Sequence, residues 1–240
     1  MKSAYIYPIK PTRLVDRVFR RTVDIVVGSI LLLFTAPLWL AAAIAVRLES
    51  EGNPFFPQKR VGLGGKPFHI LKLRGMYRDA RQRFPHLYDY ARFGGLDFRF
   101  HYDEDPRITR VGAFIRRTSI DELPNFLNVL LGDMTMVGPR PEIQDVLDLY
   151  GDYKAEYLSV KPGITCLSKI SGRDYLTKRE TIEMDLAYIR AASLRADWVI
   201  LWRTMKSVLL RRDVFDGAGT ATATGKRGIS SAIEVSTPES

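Results

Sequence analysis

Two carboxylates stand side by side at Asp121-Glu122, five residues after Arg116 in the arginine pair Arg116-Arg117 and ahead of Arg140 in the stiff turn Pro139-Arg140-Pro141. Ser119-Ile120-Asp121-Glu122 fits a capping box, in which Ser119 caps the first turn of a helix and Glu122 reaches back to the cap. Gly132 is placed to end that helix. On this reading the carboxylates are structural. Pro124 complicates it: as the fifth helical residue it would cost a hydrogen bond, whereas as the first it would be tolerated. Either way the pair sits at a helix N-terminus beside guanidinium groups, a setting that lowers carboxylate pKa values and binds phosphate oxygens. Adjacent carboxylates can also hold Mg²⁺ and bridge it to phosphate, which makes Asp121 and Glu122 candidate metal ligands as well as a candidate catalytic pair. An ionised carboxylate attacks phosphorus only when the phosphate charge is neutralised, as Mg²⁺ and arginine together would do. Arg140 offers a further fork-shaped guanidinium; its plain alternative is a rigid turn with a solvated side chain.

Other chemistries find no support. The single cysteine, Cys166, excludes an internal disulfide and any multi-cysteine cluster, and it reads as an inert packed residue rather than a nucleophile. Histidines 69, 86 and 101 lie too far apart for local metal-ligand spacing, and no G-x-S-x-G elbow is present. The turn Gly62-Leu-Gly-Gly-Lys66 superficially suggests a phosphate loop. It fails the Walker pattern, since residue 60 is Arg and residue 67 is Pro; a glycine-rich hairpin turn between strands in 55–76 is the better account.

The elements that must position these groups include a membrane segment. The chain has 240 residues and net charge +9, a size for one ordinary domain or a domain with an appendage. Residues 1–24 and 47–74 each carry six Lys/Arg against two acids, and residues 25–46 carry no charge. Basic flanks around an apolar run point to anionic lipid rather than nucleic acid. Twenty-two residues make a helix of about 33 Å, enough for a bilayer core. Pro37 near its middle predicts a kink, and equal basic flanks do not suit the positive-inside rule. A single spanning helix and a re-entrant helix returning to the same face both remain open, with Thr35 or Ser29 hydroxyls available to satisfy backbone groups freed at the bend. A signal peptide ending near Ala41-Ala42-Ala43 fits poorly.

Beyond this, 142–158 and 178–212 have helical patterns. Leu194, Trp198, Leu201, Trp202, Met205, Val208 and Leu209 share one helix face, which predicts either core packing or a place in the membrane interface. The tail from Asp216, rich in small and polar residues, predicts disorder.

The order of motifs resembles a known family. Lys72-Leu-Arg74-Gly-Met76, Asp105-Pro-Arg-Ile-Thr, Arg116-Arg-Thr-Ser-Ile-Asp-Glu-Leu-Pro124, Gly132-Asp-Met, Val137-Gly-Pro-Arg-Pro141, Lys161-Pro-Gly-Ile-Thr165 and Ser171-Gly-Arg173 follow a basic segment and an apolar run with a central proline. The chain is similar over roughly 15–215 to the bacterial sugar transferases, the monotopic polyprenyl-phosphate phosphoglycosyl transferases. The resemblance implies an α+β, mostly helical fold. Its expected parts are a basic segment 1–24, a re-entrant membrane helix 25–46, a compact cytosolic catalytic domain 47–212 with a β-hairpin and interfacial helices, and a tail 213–240. It implies the minimal catalytic form, without the membrane domain that longer relatives carry first.

It further implies transfer of a sugar-1-phosphate from a UDP-sugar to undecaprenyl phosphate at the cytoplasmic face of the bacterial plasma membrane, releasing UMP. Asp121 would be the nucleophile, and Glu122 would aid Mg²⁺ placement or proton management. Arg116 would clamp phosphate, and Arg140 with Pro139 and Pro141 would shape the substrate site. Lys72 and Arg74 are weaker substrate contacts. The expected partners are the UDP-sugar, undecaprenyl phosphate and membrane lipid, with no nucleic acid; a homodimer through the C-terminal helices is a further expectation. Two departures stand out: Gly75 replaces a common Thr or Ser, and Cys166-Leu-Ser-Lys169 replaces the usual run after Gly-Ile-Thr, in a region that could affect sugar choice. The rival from another class is a non-catalytic membrane adaptor in which Asp121 and Glu122 only cap a helix.

Overall fold

The uncharged run lies inside one long helix, α1 (Leu14–Glu49), which continues through Pro37. This computed structural model describes residues 14–90, 95–98, 105–172 and 176–210. The expectations for residues 1–13, Arg173 and the tail lie outside the described residues. Pro37 has no N–H to give the carbonyl four residues earlier. Near it, the Thr35 hydroxyl donates to the Leu31 carbonyl at 2.7 Å, a back-bond of the kind that bends helices.

Most of α1 is exposed, Leu33 and Phe34 by 75% and 77%, but both of its ends are fastened to the rest of the chain. At the first end, Arg21 Nη1 and Nη2 donate to the Val129 and Leu130 carbonyls at 2.7 and 2.8 Å. These carbonyls belong to the last turn of helix α4 (Phe126–Leu131), where the helix supplies no i+4 donors. Asp24 Oδ1 accepts from the Thr135 hydroxyl and the Met136 N–H. Gly28 lets α1 approach α4 closely, because a Cβ there would stand 3.3 Å from Leu130 Cδ2. At the other end, the Glu49 carboxylate accepts the Val111 N–H at 3.0 Å, in the first turn of α3 (Arg110–Arg117). Ala43 and Val46 pack with Leu73, Ile115 and Ile120.

Strands β1 (Phe55–Val61) and β2 (Pro67–Leu73) form the expected antiparallel hairpin, with Phe55 opposite Leu73 and Val61 opposite Pro67. Its connection places Gly64 and Gly65 at φ +65° and +81°, which explains the glycines without a phosphate. A second, parallel pair joins β3 (Thr135–Val137) to β4 (Gly163–Thr165). Just past β3 the chains nearly touch: a Cβ on Gly163 would lie 2.1 Å from the Gly138 nitrogen. That contact brings the Gly-Pro-Arg-Pro and Pro-Gly-Ile-Thr motifs together.

Short helices α2 (Ala80–Arg83), α5 (Gln144–Leu147), α6 (Tyr153–Tyr157) and α7 (Leu167–Ile170) precede two longer ones, α8 (Lys178–Ala191) and α9 (Leu194–Leu210). The expected helix over 142–158 is thus two short ones around Gly151, whose φ of +53° breaks the run. The expected helix over 178–212 divides at Ala192-Ser193. Val129, Val146, Leu147, Ile182 and Leu186 form the main core between α4, α5 and α8. One side of α9 joins it, through Ile200 and Leu201; Trp198 and Trp202 are 71% and 58% exposed. The predicted α9 face is thus divided between the two readings, with Leu201 packed on the core and the two tryptophans facing outward.

Candidate active site

Asp121 and Glu122 lie in a 3-10 turn, Ile120–Asn125, that leads into α4, and Gly132 ends α4 as expected with φ +91°. The expected capping box is absent here. Ser119 adopts φ +57° and makes no side-chain cap, and Glu122 points elsewhere. A real capping box forms instead at Thr177 and Glu180, at the start of α8. Ser119 is the one non-glycine residue with positive φ among the described residues. Such backbone costs about 1 kcal/mol and persists where surrounding packing over-determines it. The next residue, Ile120, is buried, and Leu123 touches both hydrophobic cores. These two side chains anchor the turn from below and leave the carboxylates on its partly exposed side.

The two carboxylates have different surroundings. Glu122 Oε2 accepts from Lys169 Nζ at 2.6 Å, and Glu122 Oε1 lies 3.5 Å from Arg140 Nη1. Asp121 makes no hydrogen bond or ion pair among the described residues. Burial, and then the charge of Glu122, push its carboxyl up to about 6, although Lys72, Arg116 and Lys169 pull the other way. The sequence had predicted a lowered value. Desolvation and a like charge outweigh the cations, and a single 3-10 turn lacks the aligned dipoles of a long helix.

Lys72, on β2, is pushed down to about 7 by burial and by Arg60, Arg140 and Arg116, against the pull of Asp121. Its ammonium lies 5.6 Å from the Phe56 ring centre. Arg116, exposed in the last turn of α3, lays its side chain over Gly75: a Cβ there would stand 3.1 Å from Arg116 Cδ. The departure from Thr or Ser at residue 75 thus makes room for that arginine. Burial opposes the charge on Arg140, but Glu122 and Glu142 more than offset it and hold the guanidinium ionised. Pro139 and Pro141 serve through their carbonyls, which accept from Gly163 N–H at 2.9 Å and Arg60 Nη1 at 3.0 Å. Arg74 is not brought to the pair. Its guanidinium is buried and donates to the Glu51 and Ser50 carbonyls at 2.6 and 2.7 Å, tying the end of α1 to β2.

Several site residues escaped the sequence reading. Lys169 lay within a flagged departure, but nothing local paired it with Glu122. Asp185, wholly buried on α8, accepts from Arg140 N–H at 3.3 Å, Ser168 N–H at 3.4 Å and the Tyr157 hydroxyl at 3.0 Å. One carboxylate thereby fixes the backbone beside both cations that hold Glu122. Glu142 pairs with Lys178 and lies 3.9 Å from Arg60. Arg60 and Asn125 line a narrow cavity of about 20 Å³ with Glu122, Arg140, Pro141 and Gly163. It has room for one water. The Arg60 Nε and Asn125 Oδ1 atoms are buried and lack hydrogen-bond partners among the described residues. A larger cleft of about 500 Å³, bordered by Ser50, Tyr77, Arg78 and Arg83, includes neither carboxylate. Cys166 is buried and its thiol is pushed up to about 11, chiefly by burial, which fits an inert residue.

No group of three or more His, Cys, Asp or Glu side chains suited to a metal occurs among the described residues. Mg²⁺ is ordinarily bound by one or two carboxylates with water and phosphate completing its shell. Asp121, whose side chain has no partner among the described residues, fits that pattern, with Glu122 adjacent once an oxygen is released from its cations. The arrangement suits a cation whose remaining ligands come from a phosphorylated substrate.

Residues 15–211 match the family described as bacterial sugar transferase. The chain is 41% identical over 199 residues to the UDP-glucose:undecaprenyl-phosphate glucose-1-phosphate transferase of Caulobacter vibrioides, covering 79% of this chain and 69% of that one. It is 35% identical over 195 residues to the exopolysaccharide production protein ExoY of Rhizobium meliloti, covering 80% and 86%. It is 40% identical over 210 residues to the galactosyl transferase CpsE of Streptococcus agalactiae, covering 87% of this chain and 46% of that one. The chain thus spans a little under half the length of some relatives it matches and most of the length of others.

Proposed function

Because the chain belongs to the bacterial sugar transferase family, we propose that it transfers a sugar-1-phosphate from a UDP-sugar to undecaprenyl phosphate by two displacements at Asp121. The observation that carries this reading is a carboxylate with no partner among the described residues, set among Lys72, Arg116 and Lys169 and beside a glutamate already held by two cations. A carboxylate that only capped a helix would be hydrogen-bonded to backbone N–H groups; among the described residues Asp121 has no such bond.

In the first displacement an Asp121 oxygen attacks the sugar-linked phosphorus, the bond to the bridging oxygen breaks, and UMP leaves with the electron pair. In the second, a phosphate oxygen of the polyprenyl phosphate attacks the same phosphorus. The aspartyl–phosphorus bond breaks, the carboxylate is restored, and a polyprenyl diphosphate sugar departs. Arg116, Arg140 and Lys72 would neutralise phosphate oxygens, Lys72 only while protonated. Mg²⁺, held by Asp121 and Glu122 with substrate oxygens, would supply further neutralisation of the diphosphate.

A lipid acceptor requires the site to stand at a bilayer. Both ends of α1 are fastened to the domain that carries the site, through Arg21 and Asp24 at one end and Glu49 at the other. That arrangement supports a re-entrant apolar segment 25–46 that enters and leaves from the cytoplasmic face of the plasma membrane. Leu33, Phe34 and Leu38 of α1, Leu131 of α4, and Trp198 and Trp202 of α9 are exposed and would meet lipid, the tryptophans at headgroup depth.

The test is UMP release by detergent-solubilised protein with Mg²⁺ and a panel of UDP-sugars, with and without undecaprenyl phosphate. Lipid-dependent release from one donor, lost in Asp121→Asn, is expected. Release of sugar phosphate without lipid would make it a hydrolase, and no release with any donor from folded protein would leave an adaptor.

A further inference from the structure

Lys169 is bonded to the residue next to Asp121 in the chain, and its charge acts on the Asp121 carboxyl. Its ammonium has three N–H donors. One binds Glu122 Oε2 at 2.6 Å, and a second makes a long 3.4 Å contact with the Ile164 carbonyl. The third has no partner among the described residues. Glu122, whose other oxygen lies beside Arg140, acts as a bracket between two cations and sits next to Asp121 in the chain.

The backbone beneath Lys169 is fixed. Asp185 accepts the Ser168 N–H, and Cys166 Sγ lies 3.2 Å from the Ser168 hydroxyl. The Lys169 side chain keeps 25% of its surface exposed, so a substrate can reach it. Of the other lysine and arginine side chains near the pair, Lys72 is a weaker cation, because burial and three arginines push it down to about 7. Arg60 is turned toward Pro141, Gln58 and Glu142. A diphosphate carries two negative charges, and attack by a carboxylate gathers a third around the phosphorus. A compact ammonium binds such a group as a point charge.

Resting on the transferase reading above, we propose that Lys169 is a phosphate-binding residue for the diphosphate of the nucleotide-sugar donor, and that Glu122 positions it.

The experiment measures UDP binding to the full-length protein in detergent by calorimetry, with KM and kcat for UMP release in parallel, for wild type, Lys169→Met, Lys169→Gln and Lys169→Arg. Glutamine can still donate to Glu122 but carries no charge. Loss of one charge-assisted bond to phosphate weakens binding by about tenfold. The expected result is that Met and Gln both raise the Kd for UDP and the donor KM by about tenfold, with kcat less affected, and that Arg stays within about threefold of wild type. If Lys169 merely props Glu122, the Gln variant would bind UDP like wild type, and that outcome overturns the proposal. Thermal unfolding of each variant separates misfolding from lost contact, and the Gln and Arg variants carry the test if Met does not fold. Wild type that binds no UDP also overturns it. Wild type that binds UDP through Lys169 yet releases UMP from no donor would keep the phosphate contact and remove the transferase reading.

Discussion

Glu122 gives each of its carboxylate oxygens to a cation, Lys169 at 2.6 Å and Arg140 at 3.5 Å, whereas the adjacent Asp121 pairs with no cation among the described residues. Two residues of nearly the same chemistry, side by side in the chain, are thereby placed in different roles. One is held in an ion-pair bracket, and the other is the nucleophile of the proposed reaction.

Asp121→Asn is expected to lower transferase activity by at least about a thousandfold, the scale of losing a nucleophile. The melting temperature should not fall and should rise at neutral pH, because the substitution relieves a desolvated charge beside Glu122. Glu122→Gln should cost about 10- to 100-fold, since it loosens Lys169 and Arg140 while leaving Asp121 intact. UMP release and differential scanning calorimetry on the same preparations check both; equal losses for the two variants would contradict the division of roles.

The pH dependence follows from Asp121 at about 6 and Lys72 at about 7. Asp121 must be ionised to attack, so kcat/KM should fall as pH drops through about 6. Lys72 binds phosphate only when protonated, so kcat/KM should also fall as pH rises through about 7. The profile is expected to be a narrow bell. Lys72→Arg should remove the alkaline limb, because a guanidinium does not titrate in this range; an alkaline limb unchanged in that variant would rule out Lys72 as its source.

Asp185→Ala should destabilise the fold by about 1–3 kcal/mol, because it strands the buried Arg140 and Ser168 N–H groups. Tyr157→Phe removes a hydroxyl that faces both Asp185 and the Arg140 carbonyl and should cost about 1 kcal/mol. Chemical denaturation measures both, and the order of the two effects is the point at issue.

The re-entrant topology predicts that the ends of α1 share one side of the membrane. With the buried Cys166 replaced by Ala, single cysteines at the exposed positions Val18 and Glu51 should both react with an impermeant maleimide in inverted vesicles and neither in right-side-out cells. Labelling from opposite sides would establish a spanning helix instead.

Local features were legible from the chain itself. The apolar run, the glycine turn of the β1–β2 hairpin, the stop at Gly132 and the chemical promise of Asp121-Glu122 all depend on residues a few positions apart, where backbone propensity and residue type decide the outcome. The capping box at Ser119 was misread because its signal is also local, while packing of Ile120 and Leu123 into the two cores imposes a left-handed Ser119 and turns Glu122 outward. The exposed face of α9 read ambiguously because periodicity marks an apolar face without saying what it meets. Tertiary structure alone decided the electrostatics of the site. Lys169 is 47 residues from Glu122 and Asp185 is 45 from Arg140. Those separations are closed by the Gly138–Gly163 contact and the packing of α8. Whether a carboxylate is paired or left reactive depends on which charges the fold brings within about 4 Å and how much water it removes, and neither is a property of sequence spacing.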